Sequence, residues 1–193
     1  PMKKVLTLIA AVALSATAIA QNWKLDGSHS KIRFTTKYLV ISDVDGEFKK
    51  FEGTFTSSKA DWSDLQATMT VQVPSITTDN EMRDKHLLSD DFFNAEKFPT
   101  MTFTSTGIKS LGNNKYVLSG NLTVRDVTKK VEVPLVYGGQ VKDPWGNLKA
   151  GFKATGKINR KDFGLKYANA AATGEAVVGD EVEFTIDAVL IKQ

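Results

Sequence analysis

The chain has 193 residues, 41% hydrophobic and 24% charged, with a formal net charge of +3 and no cysteine. That length fits one domain with a substantial core. The lack of cysteine excludes disulfides, thiol chemistry and the lipid-bearing cysteine of a bacterial lipoprotein, and the small net charge gives no basis for a nucleic-acid surface.

Residues 1–20 read as a secretory signal peptide cleaved after Ala20. Lys3 and Lys4 form a short basic start, Val5 to Leu14 is almost unbroken apolar sequence, and Ala18-Ile19-Ala20 is a small-x-small cleavage signature. The apolar run is shorter than the ~20 residues that span a bilayer, and no second run follows, so no transmembrane anchor is expected. Pro1 ahead of Met2 reads as a cloning remnant. Residues 21–193 carry a net charge of +1 and read as one periplasmic or secreted domain.

That domain is a series of segments with one apolar and one polar face. In residues 65–73, Leu65, Ala67, Met69, Val71 and Val73 alternate with Gln66, Thr68, Thr70 and Gln72; residues 148–158 repeat the pattern. Period two is the signature of a half-buried strand. Eight strands are expected, at about 30–41, 44–56, 64–74, 100–108, 114–125, 128–138, 147–158 and 180–191. Turn signals such as Gly112-Asn113-Asn114 and Asp143-Pro144-Trp145-Gly146 separate most of them, and short links imply antiparallel neighbours. In the second strand Phe48 differs in parity from Phe51 and Phe55, so a bulge near Lys49-Lys50 is needed to bring all three to one face.

Between the third and fourth strands, Thr78 and Glu81 form a capping-box pattern, and Glu81 and Lys85 an i,i+4 pair, which predicts a helix over 79–88. Met82, Leu87, Leu88, Phe92 and Phe93 in this insert need something to cover. The fold expected is all-β: an eight-stranded antiparallel barrel with a short helical insertion near one mouth. Eight strands enclose either a packed core or one small ligand. Ala67, Gly120, Ala150, Ala154, Gly156 and Ala188 on the dry faces leave room for a cavity, or offset large partners in a solid core.

Other motifs carry little. Gly151 to Lys157 has the spacing of a phosphate loop, but Ile158 takes the Ser/Thr position and the stretch alternates like a strand. Asp43, Asp45, Gly46 and Glu52 match part of a calcium loop, but Ile41 replaces the first ligand. Asn121-Leu122-Thr123 matches a glycosylation acceptor inside a strand. Asp26 and His29, with Asp84 and His86, form a metal or acid–base set only if all four converge.

Ordered stretches along 23–182 carry a family resemblance: Trp23-x-Leu25-Asp26-x-x-His29-Ser30-x-Ile32-x-Phe34, Gly46-x-Phe48, Phe51-x-Gly53, Ser75-Ile76-x-Thr78, Arg83-Asp84-x-His86-Leu87, Asp91-Phe92-Phe93, Phe98-Pro99-x-x-x-Phe103, Gly120-Asn121-Leu122-Thr123, Ile158-Asn159-Arg160-x-Asp162-Phe163-Gly164 and Val178-Gly179-Asp180-x-Val182. The chain resembles the YceI-like family of exported bacterial proteins. The resemblance implies a lipocalin-like barrel with an elongated apolar pore for polyisoprenoids and related amphiphiles, and a homodimer. It departs from the family at Tyr38, often a histidine there, and at Asp126, usually a glycine.

The expected partner is a long-chain isoprenoid or fatty-acyl amphiphile, with no cofactor and no metal. The expected lining is Ile32, Phe34, Tyr38, Phe48, Phe51, Met69, Phe103, Leu122, Phe152, Phe184 and Ile186, and Arg83 and Arg160 are candidates for an anionic head group. A solid-barrel interaction protein, and an enzyme built on the Asp and His pairs, stand as alternatives.

Overall fold

A computed structural model describes residues 20–193; apart from Ala20, the segment read as a signal peptide lies outside the described residues. Eleven strands form in chain order: β1 (Gln21–Leu25), β2 (Lys31–Tyr38), β3 (Ser42–Phe48), β4 (Phe51–Ser57), β5 (Gln66–Gln72), β6 (Ile76–Thr77), β7 (Thr100–Gly112), β8 (Lys115–Val124), β9 (Val127–Lys142), β10 (Leu148–Asn159) and β11 (Val178–Lys192). One helix, α1 (Glu81–Leu88), follows β6, and single 3-10 turns occupy Val73–Ser75 and Arg160–Phe163.

These pieces make a closed eight-stranded antiparallel barrel, as expected. Strands β4, β5, β7, β8, β9, β10 and β11 neighbour one another in that order, and β1 closes the ring by pairing with both β4 and β11. The first wall strand is bent. Its lower part, β1, pairs Trp23 with Lys192 and Leu25 with Leu190 of β11. Its upper part, β2, pairs Ile32 with Ile186 and Phe34 with Phe184 of the same strand. β1 extends the strand expected from residue 30 back to residue 21, and Trp23 and Leu25 are its buried alternates.

The second wall strand breaks between β3 and β4, where the parity of its phenylalanines requires it. Lys49 N–H donates to Ser75 C=O at 3.1 Å and Gln72 N–H to Lys50 C=O at 2.9 Å. Ser75 Oγ accepts from Lys50 N–H at 2.9 Å. The break is thereby tied to the 3-10 turn of the third wall strand, so its backbone groups stay paired. Across it, Phe48 and Phe55 are buried and Phe51 packs in the same interior.

The helix begins two residues later than the capping-box reading places it. Asn80, in an extended conformation, caps α1 by accepting from Arg83 N–H at 3.0 Å. Thr78 instead donates its amide and its hydroxyl to the Asp84 carboxylate, at 2.8 and 2.6 Å. Asp79, at φ 58°, turns the chain between them. Extended geometry and an acceptor oxygen directly before the first helical residue make the cap.

Candidate functional site

The barrel encloses an elongated apolar cavity of about 410 Å³. Its wall comes from the inward alternates of every long strand. Ile32 and Phe34 contribute from β2, Met69 and Val71 from β5, Phe103 from β7, Leu118 and Leu122 from β8, Val131, Val133 and Leu135 from β9, Phe152 and Ala154 from β10, and Phe184 and Ile186 from β11.

The dry-face glycines do not all contribute space. A Cβ on Gly156 would meet the ring of Phe184 at 2.5 Å, one on Gly120 the ring of Phe103 at 2.3 Å, and one on Gly46 the ring of Phe34 at 2.3 Å. Three phenylalanine rings thus lie flat on glycine backbone, which holds them against the wall. Ala67, Ala154 and Ala188 do face the cavity. Both readings of the small residues therefore apply, at different positions.

Behind the lining at one end, formed by Leu65, Leu118, Phe152 and Leu190, lies an aromatic cluster. Trp62, in the β4–β5 loop, is 2% exposed. Its ring lies 5.0 Å from those of Trp23 and Phe152 and 5.9 Å from that of Tyr137. The Asp64 carboxylate holds this loop, accepting from Ser57 Oγ at 2.7 Å, Ser58 N–H at 2.9 Å, Lys59 N–H at 3.2 Å and the Ser58 hydroxyl. Burial pushes the Asp64 carboxyl up, but these donors outweigh it and hold the group well below the usual carboxylate range.

The other end is covered by the helical insert. Leu87, Phe92 and Phe93 meet Val124, Phe163 and Leu165 around the upper cavity. Arg125, at the β8–β9 turn with φ 55°, clamps this cover. It donates to the carbonyls of Asp90 at 3.0 Å, Phe92 at 2.9 Å and Gly164 at 3.3 Å, and to the Asp90 carboxylate at 3.0 Å. No residue pattern marks Arg125 or Trp62 in the sequence.

Of the residues expected at the site, Ile32, Phe34, Phe48, Met69, Phe103, Leu122, Phe152, Arg160, Phe184 and Ile186 line the cavity. Phe51 packs behind it, beside Met69 and Val71. Tyr38 is 43% exposed at the outer end of β2, past the last inward-facing position of that strand. Arg83 does not reach the cavity either: its Nε donates to Thr78 Oγ1 and its Nη2 to Thr78 C=O, both at 2.7 Å. Arg160 is 5% exposed and engages the carbonyls of Gly179 at 2.8 Å, Leu165 at 2.7 Å and Val178 at 3.2 Å, plus Asp180 Oδ1 at 3.1 Å.

The Asp and His pairs do not converge. Asp26 meets His29 Nδ1 at 2.8 Å and Lys149 Nζ at 3.0 Å, beside the β1–β2 turn. His86 Nε2 meets Asp91 at 2.7 Å, and Asp84 serves Thr78. Among the described residues no three His, Cys, Asp or Glu side chains are placed to hold a metal ion.

A closed barrel around an apolar pore, with a helical cover over one end, is the architecture that the sequence resemblance implies. Residues 23–190 match the YceI-like domain. The chain belongs to the YceI-like family. A UPF0312 protein of Photorhabdus laumondii is 42% identical over 170 residues, covering 86% of this chain and 88% of that one. Among solved structures, Burkholderia cenocepacia BcnA superposes with a TM-score of 0.74 at 25% identity, over 86% of this chain and 98% of that one. A polyisoprenoid binding domain from Saccharophagus degradans superposes at 0.67 over 89% and 98%; at 14% identity that likeness concerns the YceI-like fold alone.

Proposed function

We propose that this protein is an exported carrier that encloses the chain of a long isoprenoid or similar fatty-acyl amphiphile in its barrel, for storage or transport. The observation that carries the reading is the continuous apolar bore, with carbon-rich side chains from Leu65, Leu118 and Leu190 at one end to the α1 cover at the other. Moving an apolar chain from water into it gains about 0.8 kcal/mol per CH₂, against the cost of association and ordering. Hydrophobic burial is non-directional, so selectivity rests on pore length, shape and the polar groups at the mouth.

The solved domain from Saccharophagus degradans, described as polyisoprenoid binding, supports such a cargo by fold. The basic, apolar leader of residues 1–20 supports export to the periplasm or beyond, where a soluble carrier solves the problem of moving a lipid through water. No helix among the described residues is long and apolar enough to cross a membrane. The family resemblance adds a homodimer, which light scattering on the purified protein checks. Binding without chemistry fits a lining that is apolar apart from Arg33, Thr36, Thr102, Glu132, Lys157 and Arg160.

The test is native mass spectrometry of protein purified from its own host, followed by solvent extraction and lipid identification. A stoichiometric prenyl or acyl species is the expected result. A protein that is empty and also refuses added prenyl and acyl lipids overturns the reading.

A further inference from the structure

The wall of the barrel has a seam. β9 and β10 pair from Lys142 with Leu148 as far as Leu135 with Ala154, and there the ladder stops. Both strands run on: β9 continues to Val127 on one side and β10 to Asn159 on the other. Among the described residues no backbone pairing joins Val127–Val133 to Thr155–Asn159. The outer neighbours of these stretches stay fully paired, β9 with β8 as far as Val127 and β10 with β11 as far as Asn159.

Pro134 accounts for the stop. Tyr137 N–H donates to Asn114 C=O at 2.8 Å, on the β8 side of the strand. Backbone groups alternate sides along an antiparallel strand, and the β8–β9 register is unbroken here, so Pro134 turns its nitrogen to β10. Thr155 would be its partner, and proline has no N–H to give it.

The seam has a wet side and a dry side. The residues whose backbone groups would form the missing rungs, Thr128, Lys130 and Glu132 on β9 and Thr155, Lys157 and Asn159 on β10, are all exposed, so water can take the place of the ladder. The alternates between them, Val131, Val133 and Ile158, are half-buried and border the cavity. An apolar interior therefore meets water along this line through the thickness of one sheet.

The ends are harder to open. At the upper end the cover is held by four hydrogen bonds from Arg125, and Phe92 within it is 4% exposed. At the other end the lining is backed by the packed Trp62 cluster. Parting the seam breaks no ladder bond. Lys157 Nζ pairs away from it, with Glu181 at 2.9 Å and Glu183 at 2.8 Å. Near its top, Lys129 and Asp162 are 4.0 Å apart and both well exposed, a contact that contributes little.

We propose that the β9–β10 seam is the doorway of the barrel: the apolar chain of a single amphiphile passes sideways through the wall above Pro134, and its polar head group stays at the wet edge of the slit. The proposal rests on the carrier reading above and adds to it the route of entry and the residue that keeps the route unlatched.

The experiment loads the protein with deuterated palmitate and follows its replacement by excess unlabelled palmitate with native mass spectrometry. The chain has no cysteine, so Glu132→Cys with Lys157→Cys, which the continued register sets opposite each other, gives one defined disulfide across the seam. Replacement nearly stops in the oxidised protein and resumes on reduction. Equal rates in the two forms overturn the doorway. Pro134→Val is the second arm and decides alone if the disulfide does not form. It restores the missing N–H on a residue that does not line the cavity, and it slows replacement about fivefold while the palmitate bound at equilibrium stays the same. An unchanged rate overturns the proposal. A wild type that takes up neither palmitate nor geranylgeraniol overturns the carrier reading instead.

Discussion

Arg160 shows how burial decides between two uses of a guanidinium. Its side chain lines the upper cavity, where an anionic head group would sit, yet its N–H groups serve three carbonyls and Asp180. Burial pushes its pKa down and Asp180 pushes back. Replacing it leaves those carbonyls without a donor, so Arg160→Met lowers stability by about 3 kcal/mol, measured by urea unfolding. A variant that keeps full stability but loses affinity for charged lipids over neutral ones would assign Arg160 to the head group instead. Asp26 carries a second prediction. Burial pushes its carboxyl up, but Lys149, His29 and the Ser28 amide outweigh this and hold it below the usual range. A carboxyl lowered on folding contributes stability above its unfolded pKa of about 3.9 and loses it as pH falls through its native value. The urea midpoint therefore falls between about pH 5 and pH 2, and Asp26→Asn flattens that slope. At this scale the sequence reveals parity but not depth. Tyr38 shares the parity of Ile32 and Phe34, yet it stands beyond the end of the wall. Trp62 is invisible to pattern because a left-handed loop residue belongs to no period.

Among elements, the β2–β3 hairpin and the β7–β8 hairpin form a contrast. The second turns through Gly112, Asn113 and Asn114, all at positive φ, with residues that accept it; this turn was legible. The first turns through Leu39 and Val40 at φ 49° and 64°, closed by Ile41 N–H to Tyr38 C=O at 3.2 Å, with no Gly or Asn to announce it. Val40 is 63% exposed, so little packing depends on it. Leu39→Asn with Val40→Gly supplies the residues a primed turn favours and raises stability by about 1 kcal/mol, seen as a higher thermal midpoint. An unchanged or lower midpoint would mean the apolar pair packs better than its exposure indicates. Most strands were legible because alternation runs through their length. β1 was not, since five residues give too short a period, and what fixes it is pairing with β11 from the far end of the chain. The helix was legible by its charge pattern, and its cap was displaced because Thr78, Asp79 and Asn80 are all competent cap residues and only backbone geometry chooses among them.

For the whole molecule, the barrel and its polarity followed from sequence, and the open bore did not. Small residues on the dry face fit either a filled or an open interior, and the difference lies in where the rings of Phe34, Phe103 and Phe184 settle. A substitution that changes only the bore tests the central idea. Ala154 is 6% exposed and faces the cavity midway along β10. Ala154→Trp places an indole across the pore at a stability change of about 1–3 kcal/mol or less, since the ring enters existing space. It should fold, by circular dichroism, and take up no lipid. Uptake at wild-type stoichiometry by a folded variant would remove the bore from the account.

β11 has a consequence for the order of events during synthesis. It follows the other ten described strands in chain order, and it alone among them touches three others: β10 along its length, β2 with its first half and β1 with its second. The contact between Trp23 and Lys192 joins opposite ends of the domain, so its loop-closure entropy is among the largest the chain can incur. Until β11 has emerged from the ribosome, β10 and the β1–β2 strand present bare edges and the ring stays open. A chain that lacks β11 is left with two strand edges ready to pair with its neighbours.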